Sequence, residues 1–276
     1  MHDGAAPSRG DPHRQAGPGP RERSEGTGQV VIAGAGVAGL TAALALARQG
    51  HRVQLLDRDA APRPDAVDGA AAWKRRGVAQ FHQPHSLLAR LYAELSAALP
   101  DVVAELTAQG ARPVTLPDGL ASLWCRRSAL ELVLRAAVEA EPTVDLRHAA
   151  VRAVEAGGGA VTGVRLDDGA VLPAGLVVDA TGRRGRLSRP WSGDTVDVPA
   201  DEAYVSRRYR LLPGAGFGTV NRGVIPVAEG DGYALLVFPH DAGTYAPLGL
   251  HPLADAVSTS NPHFGRGLAL AAARPA

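Results

Sequence analysis

The sequence predicts an α/β protein in which a doubly wound parallel sheet with an inserted β-meander is followed by a second, mixed β-sheet. Residues 29–57 have the pattern of a strand, a glycine turn, a helix and a second strand. Residues 144–179 change to short β runs that end in an apolar strand. Alternating apolar and polar residues then recur in residues 204–211, 233–238 and 245–250, which predicts three strands of the second sheet.

The first unit carries a glycine fingerprint directly after an apolar strand. Gly34 permits a tight turn, Gly36 leaves room for a pyrophosphate near the backbone, and Gly39 allows the helix to pack closely. Unpaired N–H groups at the start of that helix favour an anion. Asp57 ends the second strand, where it can accept hydrogen bonds from ribose hydroxyls. The unit therefore predicts a dinucleotide site.

Three helices are expected between this unit and the meander. The residues that follow Asp57 are polar and interrupted by proline, which predicts a loop. Leucines at helical spacing predict a helix over residues 86–99 with one buried face. Residues 102–108 predict a short helix ended by Gly110, and residues 128–140 predict another.

The meander is the part of the pattern that favours a flavin. Short β runs cover residues 144–146, 151–155, 161–166 and 171–172, and Asp168-Gly169 is a favoured hairpin turn. Leu176–Asp179 then predicts a fully buried strand that returns to the parallel sheet. A simple nicotinamide dehydrogenase does not need such an insertion.

Composition excludes several classes of function. The net charge of +1 gives no electrostatic basis for binding nucleic acid or an anionic membrane. Cys125 is the one cysteine, which excludes a disulfide framework and suits a small buried side chain. The longest apolar stretch, residues 40–47, is too short to span a bilayer. We therefore expect a cytoplasmic protein. Lys74 is the one lysine of the sequence, and this preference for arginine suggests a bacterial source.

Three motifs in order resemble the FAD-dependent monooxygenases of the aromatic hydroxylase type, the group A flavoproteins. They are GAGVAG with its terminal acid, VVDATGRRGRLSR at residues 177–189 and ADAVSTSNPHFGRG at residues 254–267. The resemblance implies a Rossmann-like FAD-binding domain over residues 29–190, in which residues 60–125 partly cover the cofactor. It also implies a shortened substrate domain over residues 191–252 and a truncated return segment over residues 253–276. Residues 1–28, which are rich in Gly, Pro, Arg and Ser, are expected to be a disordered leader.

The resemblance also implies which residues bind the cofactor. Arg127, more than its neighbour Arg126, matches the arginine beside the flavin diphosphate, with a solvated arginine at a helix start as the alternative. Asp255 matches the residue that binds a ribityl hydroxyl. The implied cofactor-binding residues are Gly34, Gly36, Gly39, Asp57, Arg58, Arg127, Asp179, Gly182, Asp255, Pro262, Gly265, Arg266 and Gly267.

The segment GVAQFHQPHSLLARL, residues 77–91, resembles a stretch near the pocket mouth in a bacterial branch of the family. Gln80 and His85 would lie there, whereas His82 is expected to be an ordinary loop residue. His82 and His85 have a spacing that metal ligands can use, but no third ligand stands at a suitable position, so no metal is expected.

The implied activity is a flavin-dependent hydroxylation that uses FAD, NAD(P)H and O2 on a small organic substrate, aromatic or polyketide. No catalytic residue is assigned, because FAD supplies the difficult chemistry. Four alternatives stay open: a truncated or inactive paralogue that binds FAD weakly, a chain completed by a partner or dimer mate, another FAD-dependent reductase or halogenase, and a nicotinamide-only dehydrogenase.

Overall fold

The computed structural model describes residues 29–59, 61–116, 118–183, 185, 187–193, 202–217, 225–230 and 233–252. The expectations for residues 1–28 and 253–276, including those for Asp255, Pro262, Gly265, Arg266 and Gly267, lie outside the described residues. In chain order the described elements are β1 (Gln29–Ala33), α1 (Val37–Arg48), β2 (Arg52–Asp57), α2 (Ala89–Ala98), α3 (Pro100–Ala108), β3 (Arg112–Thr115), β4 (Ala121–Trp124), α4 (Arg127–Ala140), β5 (Val144–His148), β6 (Val151–Gly157), β7 (Ala160–Leu166), β8 (Val171–Pro173), β9 (Leu176–Asp179), β10 (Glu202–Ser206), β11 (Tyr209–Arg210), β12 (Ile225–Gly230), β13 (Tyr233–Pro239) and β14 (Thr244–Pro252).

Four parallel strands form the sheet that carries the glycine turn, in the order β5-β2-β1-β9. The chain moves outward from β1 to β2 and β5, and then crosses to β9 on the other side of β1. The strand order therefore reverses at β1. In open α/β sheets, ligands bind outside the carboxyl ends of the strands at such a point. The loop that follows Ala33 occupies this position.

The two faces of the parallel sheet are covered by different structures. Val30 and Ile32 of β1 belong to a large core shared with all four helices. Val31, between them, faces the other way and packs with Leu56 and with Val164 of the meander. The meander is a separate antiparallel sheet in the order β6-β7-β8, and Gly169 has φ +88° in the predicted turn between β7 and β8. The inserted meander is confirmed.

Two strands differ from the sequence prediction. The run at residues 144–146, expected to open the meander, extends into β5 and pairs in parallel with β2, so it belongs to the main sheet. The expectation that Leu176–Asp179 is fully buried is wrong, because Leu176 is 47% exposed and Asp179 is exposed. β9 pairs with β1 alone in the described part of the sheet.

The helices form where leucine spacing predicts them, and the largest boundary difference lies at the start of α2. α2 begins at Ala89 and not at residue 86, because Leu88 is extended with ψ 162° and Leu87 forms a bridge with Leu123 of β4. Leu87 is nevertheless buried, as are Leu91 and Leu95. The β3–β4 hairpin was not predicted, since Arg112–Thr115 carries little apolar content. Cys125 is buried, as expected.

The second sheet has more strands than the three that the sequence predicts. Its order is β10-β14-β13-β12, and β11 also pairs with β14. The predicted strand over residues 204–211 is broken between β10 and β11. Both pieces keep one register, with Ser206 opposite Leu248 and Tyr209 opposite Tyr245, so Arg207 lies opposite Pro247. Proline has no N–H to donate to a ladder, which explains the interruption.

No helix within the described ranges is long and apolar enough to cross a bilayer.

Close packing in the meander gives a test of the fold. A Cβ at Gly163 would lie 2.3 Å from the carbonyl oxygen of Leu172, which is backbone and has little room to move. We expect Gly163→Ala to lower the free energy of unfolding by about 1–3 kcal/mol, measured by urea denaturation. Gly157→Ala is the matched control, because its nearest atom would be the Thr162 methyl at 3.8 Å. Equal losses in both variants would contradict this packing.

Candidate functional site

The glycine turn after β1 is held in a conformation that side chains would block. Gly34 has φ +104°, and a Cβ there would lie 2.4 Å from the carbonyl oxygen of Ala180. A Cβ at Gly39 would lie 1.8 Å from the carbonyl oxygen of Gly34. Gly34 also donates its N–H to the Leu56 carbonyl at 2.6 Å. Two of the three fingerprint glycines are therefore required by backbone contacts alone.

Gly36 has a different role, because the space beside it is open. A Cβ at Gly36 would meet no described atom within 4 Å. Gly36 is the N-cap of α1, and that helix has neither a side-chain cap nor an acidic residue in its first turn. The first N–H groups of a helix attract anions when no side chain satisfies them. The loop thus forms an open cradle that suits a phosphate.

Asp57 lies beside this cradle but is tied to the protein. Its Oδ2 accepts hydrogen bonds from the Ala35 N–H at 3.1 Å and from Nη2 of Arg75 at 2.8 Å. Its Oδ1 accepts the N–H of Asp59 at 2.9 Å. A carboxylate offers about four acceptor positions, so one remains for a ribose hydroxyl. Arg58, the next residue, is exposed.

Arg75 is the main residue of the site that the sequence analysis missed. Its guanidinium is buried and contacts the Ala35 carbonyl at 2.8 Å and Glu131 at 2.8 Å, in addition to Asp57. Burial alone would lower the pKa of Arg75, but Glu131 and Asp57 outweigh it and the pKa is raised. The sequence did contain a signal for such a residue. Glu131 lies among the leucines of α4, and a buried acid requires a cation nearby.

Arg127 is buried at the start of α4, which overturns the alternative of a solvated arginine. Its Nη2 lies 3.5 Å from Oε2 of Glu131, and its buried Nε has no hydrogen-bond partner among the described residues. Burial lowers the pKa of Arg127, although Glu131 opposes the shift. The orphaned Nε can donate to a phosphate or another anion.

Arg126 is used differently, in a buried ion pair with Asp241. The Arg126 side chain donates from Nε and Nη2 to Asp241, the shortest contact being 2.6 Å, and its backbone N–H donates to the same carboxylate at 2.6 Å. Asp241 stands in the tight connection between β13 and β14. Ala242 donates its N–H to the Gly110 carbonyl at 3.0 Å. These contacts fasten the second sheet to the N-terminus of α4.

A cavity of about 310 Å³ lies where α4 meets the second sheet. Its walls come from the segment before α2, the start of α4, the break between β10 and β11, and the β13–β14 hairpin. The lining residues are Phe81, His82, Gln83, Arg126, Arg127, Ser128, Ser206, Arg207, Arg208, His240 and Ala246. Neither Gln80 nor His85 is among them. Gln80 is exposed, and Gln83 accepts a hydrogen bond from Ser206 across the cavity.

Two histidines near the cavity are held neutral. His240 is 3% exposed, and neither of its ring nitrogens has a hydrogen-bond partner in the described part of the chain. Burial, together with the positive charges of Arg126 and Arg208 and with His85, lowers the pKa of His240 to about 3, although Asp241 opposes the shift. Burial and the charge of Arg127 lower the pKa of half-buried His85 to about 4. His82, expected to be an ordinary loop residue, lines the cavity and hydrogen-bonds to the Trp73 carbonyl at 2.9 Å.

The second predicted motif forms a turn at the end of β9. Asp179 accepts hydrogen bonds from Thr181 through Oδ1 and from the Ser188 N–H through Oδ2 at 3.0 Å. Gly182 has φ +75°, a conformation that favours glycine. Asp179 thus organises the loop beside the glycine turn, where Ala180 also contacts Gly34. Its contact with a cofactor stays a prediction.

The glycine loop and the start of α1 fit the diphosphate of a dinucleotide. The open space at Gly36, the uncapped start of α1 and the orphaned Nε of Arg127 all offer donors or room to an anion.

Comparisons with known proteins point the same way. A model of the FAD dependent oxidoreductase family matches residues 29–188. None of the curated proteins matches this chain. Among solved structures, PqsL from Pseudomonas aeruginosa, described as a probable FAD-dependent monooxygenase, has a TM-score of 0.62 at 20% identity. The likeness covers 81% of this chain and 60% of that one.

Two further structures share the fold. One is the p-nitrophenol 4-monooxygenase PnpA from Pseudomonas putida DLL-E4, with a TM-score of 0.58, 17% identity, and coverage of 84% of this chain and 59% of that one. The other is the myxobacterial chondrochloren halogenase CndH, with a TM-score of 0.57, 23% identity, and coverage of 82% and 53%. The chain spans less than two thirds of the length of these proteins.

The ion pair between Arg126 and Asp241 gives one test of the site. Asp241→Asn keeps the shape of the side chain but leaves a buried guanidinium without its counter-charge. We expect a loss of about 3–5 kcal/mol in the free energy of unfolding, measured by urea denaturation. Asp101→Asn is the control, because its pair with Arg48 is exposed and should contribute about 1 kcal/mol or less. Similar losses in the two variants would show that the buried pair contributes no more to the free energy of unfolding than the exposed pair does.

The neutral state of His240 predicts a pH dependence of stability. Its folded pKa of about 3 lies below the ordinary unfolded value of about 6.5. The unfolded state therefore binds the proton more readily, and the contribution to stability is complete above the unfolded value and is lost as the pH falls toward 3. The free energy of unfolding of the wild type should fall between pH 7 and pH 5. We expect this fall to be about 2 kcal/mol smaller in His240→Gln.

The measurement compares chemical denaturation of wild type and His240→Gln at the two pH values. His51→Gln, at an exposed position outside the cavity, is the control and should keep the pH slope of the wild type. If His240→Gln also kept that slope, the histidine would not be held neutral in the folded protein.

Proposed function

The chain belongs to the family of FAD-dependent oxidoreductases, and from this membership we propose that it is an FAD-dependent monooxygenase that uses NAD(P)H and O2 to oxidise a small organic substrate. The observation that carries the proposal is the pairing of an open glycine cradle with a cavity at the second sheet. A nicotinamide-only dehydrogenase would need the cradle but not the inserted meander.

The residues that would hold FAD are those of the glycine loop and the start of α4. The N–H groups at the start of α1 would receive the diphosphate beside Gly36, and Arg127 would donate to it from Nε. Asp57 has one acceptor position left for a ribose hydroxyl, and Arg75 holds its carboxylate in place. When bound, FAD would supply the hydride acceptance and oxygen activation that the side chains cannot provide.

The remaining work would fall to the cavity, which positions the substrate and limits the access of water. Phe81 and Ala246 give it an apolar part, and Arg208 and His240 a polar part. Because His240 is neutral, one ring nitrogen can donate a hydrogen bond and the other can accept one. The wall therefore offers a hydrogen-bonding group that adds no charge near a reacting substrate.

A second candidate is a chain that binds FAD without turnover. The observation that favours it is the small core of the second sheet: in the part of the chain that the structure describes, that core has two buried residues, Phe238 and Leu248. Val205 of β10 is 67% exposed. A sheet with little buried apolar area is a weak cover for a substrate.

The cofactor part of the proposal is tested at Gly36. The purified protein should be yellow, and FAD should be the flavin that is extracted from it. Gly36→Val fills space that no described atom occupies, so the fold should persist while the affinity for FAD falls by about tenfold or more, measured by fluorescence titration of FAD. Gly193→Val, at an exposed glycine with open space, is the matched control and should keep the wild-type affinity.

Aerobic consumption of NADH or NADPH by the FAD-loaded protein then separates the two candidates. NAD(P)H oxidation coupled to O2 uptake supports the monooxygenase. Stable FAD binding with no NAD(P)H consumption would favour the second candidate. A colourless protein that does not bind added FAD would overturn both.

A further inference from the structure

We propose that Glu131 is a positioning residue for the adenosine ribose of the cofactor: it holds Arg75 so that one oxygen of Asp57 stays free for a ribose hydroxyl. The inference rests on the proposed function, since it takes FAD as the ligand of the glycine cradle. It deepens that proposal, because it assigns a role in cofactor binding to a fully buried acid of α4.

The first observation is that Asp57 is attached to the protein mainly through one of its two oxygens. Oδ2 accepts hydrogen bonds from the Ala35 N–H at 3.1 Å and from Nη2 of Arg75 at 2.8 Å. The one bond to Oδ1 among the described residues comes from the N–H of Asp59, at 2.9 Å. A carboxylate oxygen offers about two acceptor positions, so the free position belongs to Oδ1. The ribose hydroxyl would therefore bind Oδ1.

The second observation is that a forked pair between arginine and aspartate, which would leave no such position, exists elsewhere in this protein. Nε and Nη2 of Arg126 both donate to the Asp241 carboxylate, and the Arg126 N–H donates to its Oδ1 at 2.6 Å. Both oxygens of Asp241 are thereby occupied. Arginine and carboxylate groups frequently form this fork. A specific contact is therefore needed to keep Arg75 from forming it with Asp57.

Glu131 provides that contact, because it lies against the Nε of Arg75. Its Oε1 is 2.8 Å from this nitrogen. Nη2 of Arg75 then donates one hydrogen to the Ala35 carbonyl and the other to Asp57, each at 2.8 Å. The side chains of Arg75 and Glu131 are 2% and 0% exposed, so the surrounding protein holds them in place. The guanidinium is thus divided between Glu131 and Asp57.

The neighbours of the guanidinium indicate what would happen without Glu131. Asp59 lies 3.8 Å from Nη1 of Arg75, and the Trp73 ring centroid lies 5.6 Å from its Cζ. Asp57, at 2.8 Å, is the nearer of the two remaining acids. A buried Nε that loses its acid would turn to this carboxylate, because an unpaired buried charge is costly. The fork would then occupy Oδ1 of Asp57 and exclude the ribose hydroxyl.

ADP and 2′,3′-dideoxy-ADP are the probes, because they differ only in the ribose hydroxyls. Isothermal titration calorimetry on the full chain freed of flavin should show that ADP binds about tenfold or more tightly than the dideoxy nucleotide. Glu131→Met should reduce this preference to about twofold or less. Glu131→Gln keeps an acceptor for Nε and should restore part of it. Glu139→Met, at an exposed position of the same helix, is the control and should keep the wild-type preference.

Arg75→Met in the Glu131→Met background is the second test. Once the guanidinium is gone, Oδ1 of Asp57 is open again, so the preference for ADP should return in part. A merely structural role of Glu131 predicts instead that the second substitution weakens both nucleotides alike. The readout is a ratio of two affinities, and a general loss of stability, followed by the melting temperature, does not restore it.

The possible results separate this inference from the proposed function. A folded Glu131→Met variant that keeps the full preference for ADP would overturn the inference even if FAD binds. A wild type that binds FAD but does not discriminate between the two nucleotides would also overturn it. A protein that binds neither FAD nor ADP would overturn the proposed function as well. Discrimination that depends on Glu131, in a protein that never oxidises NAD(P)H, would support the inference and contradict the proposed monooxygenase.

Discussion

The buried ion pair between Arg126 and Asp241 is the constraint on which the cavity depends. It joins residues 115 positions apart through hydrogen bonds from both the side chain and the backbone of Arg126. Asp241 is 1% exposed, so the pair is removed from water and each charge relies on the other. The pair fixes the β13–β14 hairpin against the start of α4. His240 precedes Asp241 directly, and the same contact therefore decides where the imidazole lies.

A chain of ionic contacts runs from the glycine loop toward this cavity. The carbonyl of Ala35 accepts from Arg75, Arg75 pairs with Glu131, and Glu131 pairs with Arg127 on the cavity wall. Each buried cation in this chain has an acid beside it. Arg208 also lines the cavity, where burial and the charge of Arg126 lower its pKa although Asp241 opposes the shift. The buried charges thus link the glycine loop to the cavity through alternating arginines and acids.

Local patterns predicted the parallel unit well because its determinants are close in sequence. Gly34 and Gly39 meet within one turn, and the apolar spacing that predicts α3 and α4 lies within each helix. The prediction failed where a neighbour distant in sequence decides the outcome. Leu87 lies outside the predicted helix because it forms a bridge with Leu123. Residues 204–211 form two strands and not one because Pro247 of β14 lies opposite Arg207.

By itself, the sequence determined the glycine cradle, the inserted meander and the position of Arg127 at the start of α4. Each of these depends on a backbone conformation or a helix boundary that nearby residues dictate. Only the tertiary structure decided that Arg75 would hold Asp57, that Arg126 would pair with Asp241, and that Arg208 and His240 would share a wall. Charge pairing depends on distance in space, and the linear order of the arginines does not indicate which acid each of them will meet.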